Sequence, residues 1–410
     1  MKKTRIFGII LAAILVLALP AGSVFAVEVD DYVMLVNGDH PVSQTYKPIS
    51  MMELSNDIPS SKSIQMDTTA AKNLLQMYRE MRSQTGYYLQ LDSGFRSYDY
   101  QSTLFNSSVN SYMAYGYSYQ YAYDMTKEVI ARPGTSEHQT GLAIDVSNNG
   151  SLDEYFASTS VGKWLASNAH KYGFILRYKA EKKQYTKIIS EPWHFRFVGL
   201  PHSQIMYDKN WCMEEYHSYL WNNGSITMDS GDYRYTVYYR KDTGTADLKG
   251  VQAISRDGSG GYIVTCKNHI ESVRGTDVHT VVNGGEMPTF QYYGDTRYPV
   301  VIAEDLQCYG FDVSWNAQDK TVVVQNNPDK PIRPIPMDYY RQFKPGQKVY
   351  AVYPSDIKVV LVLEDGTRHV MQNTVSLRGY MAISADELAM IGRASWNGET
   401  LTISIGTRVA

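Results

Sequence analysis

Cysteine is scarce in this chain of 410 residues, which has only Cys212, Cys266 and Cys308. Three cysteines cannot all pair with one another, so at most one disulfide forms. None of them lies in a C-x-x-C or other metal-ligand spacing, so the sequence does not indicate a cysteine metal site. The fold must therefore depend on its hydrophobic cores.

Long hydrophobic runs are also missing. The longest lies near the N-terminus, from Ile6 to Leu19, and is shorter than the ~20 residues that a membrane-spanning helix needs. It follows three basic residues and precedes Pro20 and small residues ending at Ala26, the arrangement of a secretory signal peptide. Residues 1–26 are therefore predicted to be a cleaved leader, which makes the mature protein secreted and extracytoplasmic. The alternative is an uncleaved membrane anchor, which the short run and Pro20 disfavour.

The chain has no excess of positive charge, with 39 Lys and Arg against 42 Asp and Glu. Removing the leader takes away three basic residues and no acidic ones, leaving 36 against 42 and a net charge of −6. Nothing in this balance indicates nucleic-acid binding. A length of 410 residues exceeds what one core usually serves, so two or more domains are expected.

The first half, residues 27–222, alternates helix and strand signals and predicts an α+β domain. Asp67 can cap a helix with apolar residues at helical spacing, and residues 87–91 read as a strand. A second amphipathic helix is predicted near residues 161–172, capped by Gly173 and followed by a strand at residues 174–178. The tyrosines between residues 98 and 123 are typical of the edge of a core, and a sugar-binding surface is the alternative.

The second half is β-rich and repetitive. Residues 223–276 are predicted to be a connecting segment, and a cut near Asn222 is expected to be tolerated. Two repeat units, 277–327 and 349–410, flank a proline-rich linker at 328–348, and each predicts a short helix, a glycine and a β-hairpin containing tryptophan. The units resemble the small domain named after the N-terminal domain of copper amine oxidases. They lack a His, Cys and Met cluster suited to copper, so the resemblance implies a structural or wall-contacting appendage.

Three residues far apart in sequence form a candidate metal site. His138 and Asp145 lie seven positions apart in Ser136-Glu-His-Gln-Thr-Gly-Leu-Ala-Ile-Asp145, and His194 lies in Glu191-Pro-Trp-His194. Two imidazoles and one carboxylate suit Zn²⁺ in a catalytic site with a fourth position for water. Asp145 ends an apolar strand, where a buried charge is costly unless it is paired or bound to metal. We therefore expect zinc to be held by His138, Asp145 and His194.

Two further residues suit the hydrolysis of an amide. Glu191 lies three residues before His194, where its carboxylate can take a proton from a zinc-activated water and pass it to the leaving amine. Arg96, in Ser93-Gly-Phe-Arg-Ser97, follows a predicted strand and can hold a carboxylate or an oxyanion. Glu191 is thus predicted to be the general base and acid, and Arg96 the electrostatic partner.

These motifs together resemble the VanY-type D-alanyl-D-alanine carboxypeptidases, peptidase family M15. The resemblance covers about residues 33–199, and Phe95 and Phe197 stand where the family often has tyrosine. It implies a small α+β zinc domain with an antiparallel sheet and flanking helices, here followed by β-rich α+β repeat domains. It also implies that Ser136 and Gln101 contact the peptide.

The sequence therefore predicts a carboxypeptidase in which a zinc-bound water releases the terminal D-alanine from peptidoglycan stem peptides. An L,D-carboxypeptidase or an endopeptidase with the same site remains an alternative. A non-catalytic wall-binding scaffold is an alternative of another class, which the retention of all three ligands and Glu191 disfavours. No nucleic-acid partner and no stable membrane insertion after leader removal are expected.

Overall fold

The computed structural model describes residues 27–148, 150–353, 355–363, 365–377, 379–389 and 393–404. The predicted leader at residues 1–26 lies outside the described residues. Within these ranges, no helix combines the length and apolar character needed to cross a membrane.

The described elements are eight α-helices, 25 strands and six short 3-10 helices. The helices are α1 (Thr68–Thr85), α2 (Tyr98–Ala114), α3 (Tyr119–Lys127), α4 (Ser160–Asn168), α5 (Lys183–Thr186), α6 (His202–Lys209), α7 (Met213–Asn223) and α8 (Ala385–Leu388). The strands are β1 (Val29–Asp30), β2 (Met51–Glu53), β3 (Gln65–Asp67), β4 (Gln90–Ser93), β5 (Ala143–Ser147), β6 (Phe174–Tyr178), β7 (Glu191–Phe197), β8 (Ser225–Ser230), β9 (Tyr233–Arg240), β10 (Val251–Arg256), β11 (Tyr262–His269), β12 (Ser272–Arg274), β13 (His279–Val282), β14 (Gly285–Met287), β15 (Thr289–Tyr293), β16 (Arg297–Ile302), β17 (Phe311–Asn316), β18 (Thr321–Asn326), β19 (Lys348–Ala351), β20 (Lys358–Val362), β21 (Arg368–Val370), β22 (Thr374–Leu377), β23 (Tyr380–Ser384), β24 (Arg393–Trp396) and β25 (Thr400–Ser404).

An antiparallel sheet of order β4-β5-β7-β6 organises the first half, and helices α1 and α4 cover one of its faces. The predicted cap of α1 is confirmed, because the Asp67 carboxylate accepts hydrogen bonds from the N–H groups of Thr69 and Ala70. Side chains alternate across a strand. Ile144 and Phe195 therefore face the helices, while their neighbours point to the opposite face.

A β-bulge at Asp92 shapes the edge of this sheet. Leu91 pairs with Val146 and Ser93 with Asp145, so β4 has one residue more than its partner between these pairs. An extra residue reverses the alternation beyond it and re-aims the side chains that follow. Leu91 thus packs in the helix-covered core, whereas Ser93 and the loop leading to Arg96 turn to the other face.

The sheet β1-β10-β11-β9-β8 shares a core with the first half of the chain. Val237 and Ile263 of this sheet pack with Met213 and Leu220 of α7, and all four are fully buried. The buried His202 of α6 is hydrogen-bonded to the Tyr216 hydroxyl at 2.7 Å and to the Thr265 hydroxyl at 3.0 Å. The segment predicted to be a connector at 223–276 is therefore largely an integral sheet, and the boundary after Asn222 divides a single core.

This shared core changes the expected result of truncation. A chain ending at Asn222 loses the sheet that covers α7, and we expect it to unfold at a lower temperature or to aggregate, because it exposes apolar surface. A chain ending at Ile270 keeps β8 to β11. It should unfold cooperatively, near the temperature at which the same residues unfold in the full chain. Calorimetry of the two truncations measures the difference. Equal stability would show that the sheet is dispensable.

The two segments predicted to be repeats are intertwined in the structure. Strand β13 of the first unit pairs in parallel with β25 of the second, and β18 of the first pairs in parallel with β20 of the second. Strands β16 and β23, which occupy equivalent places in the two units, pair antiparallel. Both units contribute to one core. The two repeats thus form one body, and Trp315 and Trp396 at equivalent hairpin positions are 52% and 54% exposed.

Candidate active site

Asp145 and His194 meet because their strands pair directly. Asp145 of β5 lies opposite His194 of β7, and Ala143 lies opposite Arg196. The four side chains share the sheet face that the helices leave uncovered, since Ile144 and Phe195 occupy the other face. The His194 Nδ1 atom lies 3.0 Å from Asp145 Oδ1.

His138 reaches the same point from a 3-10 turn at Glu137–Thr140. Gly141 ends this turn with a φ of 71°, a conformation that L side chains rarely adopt, and lets the chain reverse into β5. The His138 Nδ1 atom lies 2.7 Å from the carbonyl oxygen of Gly94. Because a carbonyl only accepts, Nδ1 carries the proton and Nε2 presents its lone pair, 3.2 Å from Asp145 Oδ2.

The three groups fit a divalent metal ion. One ligand atom from each of His138, Asp145 and His194 lies within 4.8 Å of the others, and all three residues are buried. Asp145 Oδ1 makes no hydrogen bond within the described part of the chain, although it is buried. Burial lowers the pKa of His194, but the nearby carboxylates of Asp145 and Glu137 raise it to about 9, so the site favours a cation. Two imidazoles and a carboxylate are a zinc ligand set that leaves a position open.

Glu191 begins β7 and lines the same cleft. The cleft has a volume of about 340 Å³ and is also lined by all three candidate ligands. Glu191 Oε2 lies 3.6 Å from His194 Nδ1. Burial raises the pKa of Glu191 to about 7. A carboxyl group with a pKa near neutrality, beside a metal site, suits both the uptake and the release of a proton.

Arg96 contacts the candidate metal ligand Asp145 and two neighbouring polar residues, Ser93 and Gln101. Its Nη2 atom donates to Asp145 Oδ2 at 2.7 Å, its Nε to the Ser93 hydroxyl at 2.8 Å, and its Nη1 to Gln101 Oε1 at 3.4 Å. Ser136 lines the cleft, as predicted for a substrate contact. The Gln101 Nε2 atom donates to the Ala131 carbonyl, and its Oε1 accepts from Arg96. Its contact with the peptide stays a prediction.

Comparison with known proteins shows which family the chain belongs to. The family model described as VanY, D-alanyl-D-alanine carboxypeptidase, matches residues 63–200. The bifunctional D-Ala-D-Ala dipeptidase and D-Ala-D-Ala carboxypeptidase VanXYC of Enterococcus gallinarum is 34% identical over 191 residues, which are 45% of this chain and 93% of that protein. The chain belongs to the VanY family.

Other VanY relatives match the same half of the chain. The D-alanyl-D-alanine carboxypeptidase of Enterococcus faecium is 33% identical over 214 residues, which are 50% of this chain and 64% of that protein. The chain thus spans slightly less than two thirds of that relative. The solved structure of a mutant of the D,D-pentapeptidase VanY from a VanB-type resistance cassette, in complex with Zn(II), is 32% identical with a TM-score of 0.40, covering 45% of this chain and 98% of that one.

A buried ionic network supports the VanY site and was not predicted. Glu137, next to His138, accepts from Arg177 Nε at 2.7 Å and lies 3.1 Å from Arg196 Nη1. Its other oxygen lies 3.5 Å from His194 Nε2, which directs His194 Nδ1 to the cleft. Against the effect of burial, the two arginines hold the pKa of Glu137 well below its usual range.

The network also anchors elements that are distant in sequence. Arg177 donates to both oxygens of Glu214 on α7, at 2.6 and 2.9 Å. Arg196 donates to the carbonyl of Met34 at 3.0 Å, in the N-terminal segment. The one available signal in the sequence was the placement of two arginines within apolar strands, where buried charges need partners.

Proposed function

We propose that the protein is a zinc-dependent D-alanyl-D-alanine carboxypeptidase that removes the terminal D-alanine from peptidoglycan stem peptides. The observation that carries this proposal is the convergence of His138, Asp145 and His194 in one cleft with the Glu191 carboxylate. Membership of the VanY family supports the same activity.

The zinc ion would be held by His138 Nε2, the Asp145 carboxylate and His194 Nδ1. When bound, it supplies Lewis-acid polarisation and lowers the pKa of water to about 7. The protein orients these donors, because the Gly94 carbonyl fixes the His138 tautomer and Glu137 faces the far nitrogen of His194.

The remaining chemistry falls to residues that line the cleft. Glu191 takes a proton from the attacking water and delivers it to the nitrogen of the departing D-alanine. Arg96 carries a fixed positive charge beside Asp145, where it offsets negative charge that develops on the carbonyl oxygen or holds the terminal carboxylate of the substrate. Ser136 lies where its hydroxyl can contact the peptide. No covalent intermediate is needed.

The same residues would serve an L,D-carboxypeptidase acting on tetrapeptide stems, or an endopeptidase. Digestion of purified pentapeptide and tetrapeptide stems, followed by mass spectrometry, separates these activities. The proposed enzyme converts pentapeptide to tetrapeptide with loss of one alanine and leaves the tetrapeptide intact. Loss of alanine from tetrapeptide alone, or cleavage within the stem, would replace the D,D assignment.

We also propose that the two C-terminal units, 277–327 and 349–410, which we call the C-terminal body, contact the cell wall after secretion of the protein. This role rests on the resemblance of its two units to the domain named after copper amine oxidases. Its intertwined strands give it a core of its own, so it can act as a separate appendage to the enzyme. A purely non-catalytic scaffold is disfavoured, because such a role does not require the buried charges of the metal site.

A further inference from the structure

A second cavity adjoins the catalytic cleft. It has a volume of about 300 Å³, and Ala131, Tyr178 and Ile188 line both spaces. We call it the side cavity. Because the two spaces share these residues, they adjoin, and a peptide whose C-terminus lies at the metal site can place an upstream residue beside the side cavity.

The side cavity is cationic. Lys127, Arg132 and Lys187 line it, against the single acidic residue Asp39. Lys127 is already paired with Asp124 at 2.6 Å. In the described part of the chain, neither Arg132 nor Lys187 has a carboxylate partner within ion-pair distance. Two positive charges therefore remain for a ligand.

Arg132 is held in a fixed relation to the metal site. It lies six residues before His138, in the segment that also carries Ser136. The N–H of Thr135 donates to the Arg132 carbonyl at 2.9 Å, and Gln101 donates to the carbonyl of Ala131 at 2.7 Å. Gln101 thus ties the wall between the two spaces to Arg96. The Arg132 guanidinium donates to the Gly38 carbonyl through Nη2 at 3.1 Å, which leaves other N–H groups for a ligand.

We propose that the side cavity binds a free carboxylate of the stem peptide upstream of the scissile bond, with Arg132 as the main contact and Lys187 as a second. This inference rests on the proposed function and names the part of the substrate that the chain selects. Arginine binds carboxylates through two parallel hydrogen bonds, whereas lysine acts as a point charge. Tyr123 and Tyr185 line the cavity and offer flat apolar faces to the chain of the peptide.

The test compares two stem pentapeptides that differ only at their second residue, a γ-linked glutamate with a free α-carboxylate or its primary amide. Dissociation constants are measured by calorimetry with the full chain carrying Glu191→Gln, which slows hydrolysis of both peptides. We expect the acid to bind about tenfold more tightly, as one charge-assisted hydrogen bond allows. Adding Arg132→Gln should remove this preference and leave the affinity for the amide unchanged.

Two further variants sharpen the result. Lys187→Asn should reduce the preference in part, and asparagine suits the positive φ of 62° at this position. Lys183→Gln, which removes an exposed lysine paired with Glu128, should leave the preference intact. Equal affinity of the parent for acid and amide, or an equal loss for both peptides in Arg132→Gln, would overturn the inference. Since binding is measured directly, failure of the wild-type chain to release alanine would count only against the proposed function.

Discussion

Replacing Glu191 by glutamine is expected to lower kcat by about 10²–10⁴-fold, the usual contribution of a positioned acid or base. The amide keeps the shape of the side chain at the start of β7 but cannot take up the proton of the attacking water. Zinc content should be unchanged, because Glu191 is outside the set of three ligands. The measurement is steady-state release of D-alanine from a stem pentapeptide, with metal analysis of the same preparation.

A matched control for this variant is Glu128→Gln. Glu128 is partly exposed and pairs with Lys183 at the surface, where an ion pair contributes only about 0–1 kcal/mol. Its kcat should equal that of the wild type. A Glu191→Gln protein that retains a near-normal rate would remove Glu191 from the mechanism.

The second large effect is expected for Asp145→Asn, measured as zinc affinity. The carboxylate supplies an oxygen donor and the negative charge that offsets Zn²⁺. Removing a residue that only supports a metal ligand typically weakens metal binding by about 10–100-fold. Removing the Asp145 carboxylate itself should weaken zinc binding by more than this. Unfolding temperature alone does not distinguish the roles of Asp145, because the variant also removes the 2.7 Å ion pair with Arg96.

Asp92→Asn is the control for this titration. Asp92 lines the same cleft from the neighbouring strand but is outside the ligand set. The Asp92→Asn variant should bind zinc with the affinity of the wild type. Unchanged zinc affinity in Asp145→Asn would refute a site built from two histidines and one aspartate.

Local sequence signals predicted the first half of the fold well. The helix after Asp67 and the strand at residues 174–178 are present as predicted, and Gly173 ends its helical segment with a φ of 83°. The strand predicted at residues 87–91 lies instead at Gln90–Ser93. The β-bulge in this strand forms where the strand pairs with β5. This pairing cannot be predicted from the sequence of the strand alone.

The tyrosine-rich region shows where composition alone is insufficient. Residues 98–123 form α2 and the first part of α3. Tyr112 and Tyr123 lie at the edge of a small core, as predicted, whereas Tyr115 and Tyr119 are exposed. The buried side chains between these helices are Phe105, Val109 and Ala122. In the sequence, these three apolar residues are outnumbered by the tyrosines around them. The apolar stripe is therefore weak in the sequence pattern, although the helices form.

Long-range pairings account for the other differences. The three candidate ligands were identified because each lies in a recognisable motif, and the structure brings them together. Glu137, Arg177 and Arg196 were missed because their roles arise from contacts among three separate segments. The two C-terminal units were predicted from the similarity of their sequences, which does not indicate that each unit pairs its strands with those of the other.

The most direct test of the account is release of D-alanine from a stem pentapeptide by the full chain before metal removal, after chelation and after Zn²⁺ is restored. The account predicts loss of release when elemental analysis shows that the metal is gone, and recovery when one Zn²⁺ per chain is bound. D-alanine release at the full rate from metal-free protein would contradict it.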